Sequence, residues 1–109
     1  MDDVLNIAEV PFKSGKIQYR YSRYLTNDGA QWIRHGLFTA YHENGQLLSE
    51  GLYEHGLETG TWRDFYANGQ IAAEGVYVAG KEHGLWRSWA TDGESQATIQ
   101  FEHGREVVG

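Results

Sequence analysis

Gly36-Leu-Phe-Thr-Ala-Tyr-His-Glu-Asn-Gly-Gln-Leu-Leu-Ser-Glu-Gly-Leu-Tyr-Glu-His-Gly-Leu-Glu-Thr59 is followed by two more versions of itself, opening at Gly60 and Gly84, so the period is 24 residues. A fixed period of this size marks a chain of stacked supersecondary units. The copies align without a gap. Phe38, Trp62 and Trp86 share one position; Tyr41, Phe65 and Trp89 share another. Asn44-Gly45, Asn68-Gly69 and Asp92-Gly93 coincide, as do Tyr53, Tyr77 and Phe101. Gly56, Gly80 and Gly104 close the pattern, with Glu58, Glu82 and Glu106 two residues later.

Asn-Gly or Asp-Gly between two β-prone runs is a hairpin signal, because a tight turn requires positive φ and these residues tolerate it. The closing glycines supply a second turn before the next strand. Each copy therefore predicts two strands of about six residues. A helix is excluded by glycine frequency, since each interior Gly costs about 1 kcal/mol relative to Ala. The expected fold is all-β: an elongated antiparallel sheet of stacked hairpins, about eight strands wide by the two-strands-per-copy rule.

The 109 residues fit one domain, with repeats at 36–59, 60–83 and 84–107 and a diverged first repeat over 6–35. There, Ser14-Gly15-Lys16-Ile17 corresponds to Asn68-Gly69-Gln70-Ile71 at an offset of 54, six more than two periods. The extra residues flank Asn27-Asp28-Gly29, which predicts a hairpin three residues longer on each strand, with Trp32 on the extension packing against Tyr24. Val4 to Phe12 reads either as one helical turn capped by Asp2-Asp3 or as a strand; Pro11 confines that strand to an edge, the reading preferred here. At the other end, Thr98-Ile99-Gln100 replaces Glu-Gly-Leu or Glu-Gly-Val, an erosion expected of a capping repeat.

No apolar run reaches the 18 residues of a membrane helix, and the acidic start is unlike a secretory signal. There is no Cys, hence no disulfide framework or thiolate metal site, and a cytoplasmic location is expected. The net charge of −6 is uneven: residues 1–35 carry +1 and residues 36–109 carry −7. An acidic repeat region repels phosphate and anionic lipid, which argues against nucleic acid and membrane, and attracts basic partners. The same acids also serve to keep an aromatic-rich sheet soluble.

Strand side chains alternate between faces. Leu47, Ser49, Gly51 and Tyr53 share one face, as do Ile71, Ala73, Gly75 and Tyr77, and the small residues leave room for a neighbour's ring over the backbone. Trp62 and Phe65 stand three apart, so either both faces hold aromatics or a bulge intervenes. Without a covering helix, rings flanked by carboxylates suit a protein partner, and aromatics dominate interface hot spots. The candidate partner-binding residues are Tyr53, Trp62, Phe65, Tyr77, Trp86, Trp89 and Trp32, with Glu50, Glu58, Glu74 and Glu82 for orientation. Each ring also has a plainer role, as the core of a thin repeat protein.

The pattern Gly-x-Trp-x-x-Phe/Trp, Asn-Gly-Gln-Ile/Leu, Glu-Gly-x-Tyr, Gly-x-Glu-x-Gly resembles the MORN-type repeat, and more narrowly the bacterial variant found in YwqK-family antitoxins. The resemblance covers 36–106 well and 6–35 loosely. It implies stacked hairpins and a role as the antidote to a cognate toxin. The alternative is a scaffold or lipid-surface adaptor for protein or membrane association, which the acidic charge disfavours. No catalytic motif is present. His35, His42, His55, His83 and His103 follow the repeat grammar as solvated turn residues without metal-ligand spacing. No enzyme activity, cofactor or metal is expected.

Overall fold

A computed structural model describes residues 5–108. Asp2 and Asp3, weighed above as a helix cap, lie outside the described residues. The nine strands are β1 (Asn6–Pro11), β2 (Ile17–Leu25), β3 (Trp32–Tyr41), β4 (Leu47–Glu54), β5 (Leu57–Phe65), β6 (Ile71–Val78), β7 (Lys81–Trp89), β8 (Ser95–Glu102) and β9 (Arg105–Glu106). They form one open sheet in chain order, each strand antiparallel to the next. The repeat strands run to eight or nine residues and β3 to ten, longer than the six expected. They run on because bulges absorb the irregular positions instead of ending the ladder. Val10 and Pro11 sit on the outermost strand, where a missing N–H disrupts no inner ladder.

Both turns of each copy fall where the sequence places them, but the Asn-Gly turn is not the tight one. At Asn-Gly, only the glycine has positive φ: +88° at Gly45, +89° at Gly69 and +92° at Gly93. The Gly45 N–H donates to His42 O at 2.9 Å, and the His42 N–H donates to Gln46 O at 2.8 Å. That is a three-residue loop ending in a left-handed glycine. The turns with two left-handed residues are His55-Gly56, Ala79-Gly80 and His103-Gly104, where the non-glycine φ is 48°, 49° and 50°.

The six added residues lengthen the β2–β3 hairpin less than predicted. They contribute one further pair, Leu25 with Trp32, and a Thr26 N–H to Gln31 O bond of 2.9 Å. The remainder form the turn, where Asp28 accepts from the Ala30 N–H and the Thr26 hydroxyl. These bonds hold the Asp28 carboxyl below its ordinary pKa. Tyr24 pairs with Ile33, so Tyr24 and Trp32 point to opposite faces. Trp32 instead lies beneath Arg23, whose guanidinium carbon is 3.9 Å from the ring centre.

A register shift falls between Asp64 and Phe65, and again between Ser88 and Trp89, so a bulge separates the paired aromatics. On one face the rings form a continuous row: Tyr21, Phe38, Tyr53, Trp62, Tyr77, Trp86 and Phe101, with successive centroids 5.0–6.3 Å apart. Edge-to-face contacts dominate the row from Tyr53 onward, the arrangement ring quadrupoles prefer. Phe38, Ala40 and Trp62 are the buried centre.

Candidate functional site

The ring row exists because two positions carry no side chain. A Cβ on Gly51 would lie 2.1 Å from the Trp62 indole, and one on Gly75 would lie 2.0 Å from that of Trp86. Each indole thus lies flat on the preceding repeat. Its N–H donates to that repeat's backbone: Trp62 Nε1 to Leu52 O at 3.1 Å, Trp86 Nε1 to Val76 O at 3.2 Å. A polar N–H that would otherwise be trapped is satisfied, and the tie fixes the ring's angle. The Asn-Gly turns add a second tie between repeats. Asn44 Nδ2 donates to Ala67 O at 2.7 Å and Asn68 Nδ2 to Thr91 O at 2.9 Å.

The predicted binding residues do not converge on one surface. Tyr53, Trp62, Tyr77 and Trp86 belong to the ring row, with Trp62 only 8% exposed and the other three half-buried. Phe65 and Trp89 are half-buried but make no ring contact with that row among the described residues, because the bulge displaces them. Trp32 is 47% exposed, on the extended hairpin. Glu58 pairs across the ladder with Tyr53, and Glu82 with Tyr77, so both share the ring face. Glu50 and Glu74 lie on the other face, flanking Arg63.

The faces therefore differ in electrostatics. On the face away from the rings, Arg63 contacts Glu74 at 2.5 Å and Glu50 at 3.9 Å, and Arg20 contacts Glu9 at 2.6 Å. The Glu74 hydrogen bond and charge hold the Arg63 guanidinium above its ordinary pKa. Between these charges runs an exposed aliphatic line, Leu37, Leu52, Val76 and Leu85. On the ring face, Glu58, Asp64 and Glu82 make no salt bridge among the described residues. Burial raises the Tyr77 hydroxyl's pKa, and Glu82, Glu58 and Asp64 raise it further.

Sequence reasoning missed Arg34, Asp64 and the histidine pairs. Arg34 was legible in principle, because it stands where the next repeats carry Glu58 and Glu82. His55 and His103 are exposed turn residues as expected, whereas His35, His42 and His83 are half-buried. His42 Nε2 is 2.8 Å from Phe65 O, His35 and His55 rings are 4.6 Å apart, and His83 lies 5.3 Å from His103. The Tyr24 hydroxyl is 2.9 Å from His55 Nδ1. These are contacts between hairpins. Among the described residues no three His, Asp or Glu side chains converge as metal ligands.

The family model of the MORN repeat variant matches residues 34–55 and 58–79, two adjacent segments in the frame of the 24-residue period. Those two segments are similar to the MORN repeat variant. The match agrees with an all-β sheet of consecutive hairpins, and it describes a repeat scaffold without specifying an antitoxin. No curated protein matches the chain. The third repeat, where Ile99 departs from the pattern, and nearly all of the diverged first one lie outside the matched segments.

Proposed function

We propose that this MORN-repeat protein is an antitoxin or immunity protein that binds and neutralises a basic protein toxin. The observation that carries this reading is the unequal neutralisation of the faces. Carboxylates on the aliphatic side are balanced by Arg20 and Arg63, whereas Glu58, Asp64 and Glu82, beside Tyr53 and Tyr77, make no salt bridge among the described residues. Half-buried Tyr and Trp rings edged by free carboxylates suit a cationic protein surface. A nuclease, whose own site is built for phosphate, is a partner of this kind. The acidic field speeds encounter, and the rings supply contact area once water is displaced. The carboxylates of the ring face would repel anionic headgroups, so nothing in the geometry favours the lipid-adaptor reading.

The test is co-expression with the product of the adjacent gene. The expected result is a 1:1 complex that survives gel filtration and protects the host from that product. No complex and no protection would end the antitoxin reading. Pelleting with anionic vesicles at low salt would replace it with the adaptor.

A further inference from the structure

The first repeat already contains a model of what the later ones lack. Arg34 projects onto the ring face, with its guanidinium carbon 4.7 Å from the Tyr21 ring centre, 5.4 Å from Phe38 and 5.5 Å from Tyr53. Its Nη1 lies 3.4 Å from the Tyr53 hydroxyl, to which it donates. A guanidinium over aromatic faces is held by the ring quadrupole, more strongly where water is partly excluded. One period later, Phe38 becomes Trp62, Tyr53 becomes Tyr77 and Arg34 becomes Glu58; two periods later they are Trp86, Phe101 and Glu82. Two of the three rings persist, Tyr21 giving way to Gly51 and Gly75, and the cation is replaced by a carboxylate. Tyr53 thus sits between Arg34 and Glu58, whereas Tyr77 sits between Glu58 and Glu82.

We infer that the second and third repeats each take a cationic side chain from a basic protein segment, seated against the half-buried Tyr77 beside Glu58, and over the half-buried Trp86 and Phe101 beside Glu82. The proposal rests on the reading of a basic protein partner and adds the mode of capture. Tryptophan is the strongest cation acceptor among the rings, and the third repeat presents the half-buried Trp86 where the self-filled site has Phe38. Each site also offers a carboxylate to the guanidinium, the pairing with the best fork geometry. Equivalent positions are two strands apart, about 10 Å at ~4.8 Å per strand. A polyproline-type segment rises about 3.1 Å per residue and repeats its direction every third residue. It would bring successive arginines to the two sites with two spacer residues between them.

The probe is a synthetic peptide with arginine at every third position between serine and proline, titrated at low salt while tryptophan fluorescence is followed in a Trp32→Phe, Trp89→Phe background that retains Trp62 and Trp86. A saturable change that is at least tenfold weaker for a peptide with glutamine in place of arginine supports the proposal. Glu58→Arg together with Glu82→Arg imitates the first repeat, fills both sites internally and should lower affinity at least tenfold while the melting temperature holds. If that pair fails to fold, Glu58→Gln with Glu82→Gln provides the same comparison without added bulk. Equal binding of the glutamine peptide, unchanged affinity in both double variants, or no binding of the arginine peptide would overturn it. So would capture of phosphatidylserine vesicles on this face in preference to the peptide. Peptide capture without protection from the toxin would sink the antitoxin reading alone; protection indifferent to Glu58 and Glu82 would sink this one alone.

Discussion

The joints between the middle repeats and the outer edge of the third are built from the same positions with different residues. At the inner joints, Gly51 and Gly75 accept the indoles of Trp62 and Trp86, and Asn44 and Asn68 tie each turn to the next. At the outer edge the equivalents are Ile99 and Asp92. A branched side chain occupies the place where an indole would lie, and a carboxylate has no N–H to donate. β8 then pairs with β9 over only two residues. What propagates the stack is therefore an absence of side chain in one strand matched to a large flat ring in the next. At the first joint Tyr21 stands at the equivalent position and stacks on Phe38, the smaller ring that occurs there in place of an indole.

That contrast can be broken most severely at Gly75. Gly75→Ala places a methyl where the Trp86 ring lies, and overpacking of this kind should cost about 3 kcal/mol or more in a denaturant melt. An Ala variant of wild-type stability would show that the indole docks otherwise. Gly69→Val comes next: at φ +89° a β-branched residue is strained, and roughly 2 kcal/mol should be lost. Asn68→Asp keeps the oxygen that accepts from the Gln70 N–H and deletes only the donor to Thr91 O. It should cost about 1 kcal/mol, whereas Asp92→Asn in the last repeat should leave the melting curve unchanged. Equal effects at the two sites would dissolve the distinction between joint and edge. Ala79→Asn should stabilise by about 0.5–1 kcal/mol, because Ala at φ 49° carries left-handed strain that Asn tolerates.

The smallest effect is a pH dependence. The Tyr77 hydroxyl has its pKa raised above 10.0 by burial, then by Glu82 and Glu58. The neutral form is favoured in the folded state, so this contribution is complete below the unfolded pKa and is lost as pH rises through the folded value. Stability should fall in the alkaline range above about pH 10, and Tyr77→Phe should fall less steeply there. An identical alkaline slope in the variant would show that folding does not raise the pKa of this hydroxyl.

Much of the scaffold was readable from one line of sequence. The 24-residue period, two turns per copy and alternation of small and aromatic residues determine a hairpin sheet, because each depends on local chirality, side-chain direction or spacing along the strand. The edge position of Pro11 and the room over Gly51 and Gly75 follow from the same local rules. Other features were decided only by the ladder between strands. Where each bulge falls sets which ring joins the row, so Trp62 and Trp86 enter it and Phe65 and Trp89 do not. Arg63 draws Glu50 and Glu74 together across three strands, whereas Glu58 and Glu82 on the other side make no salt bridge among the described residues. Composition counts charges without assigning them to faces; strand register assigns them, and through it the sheet acquires one balanced side and one acidic, ring-lined side.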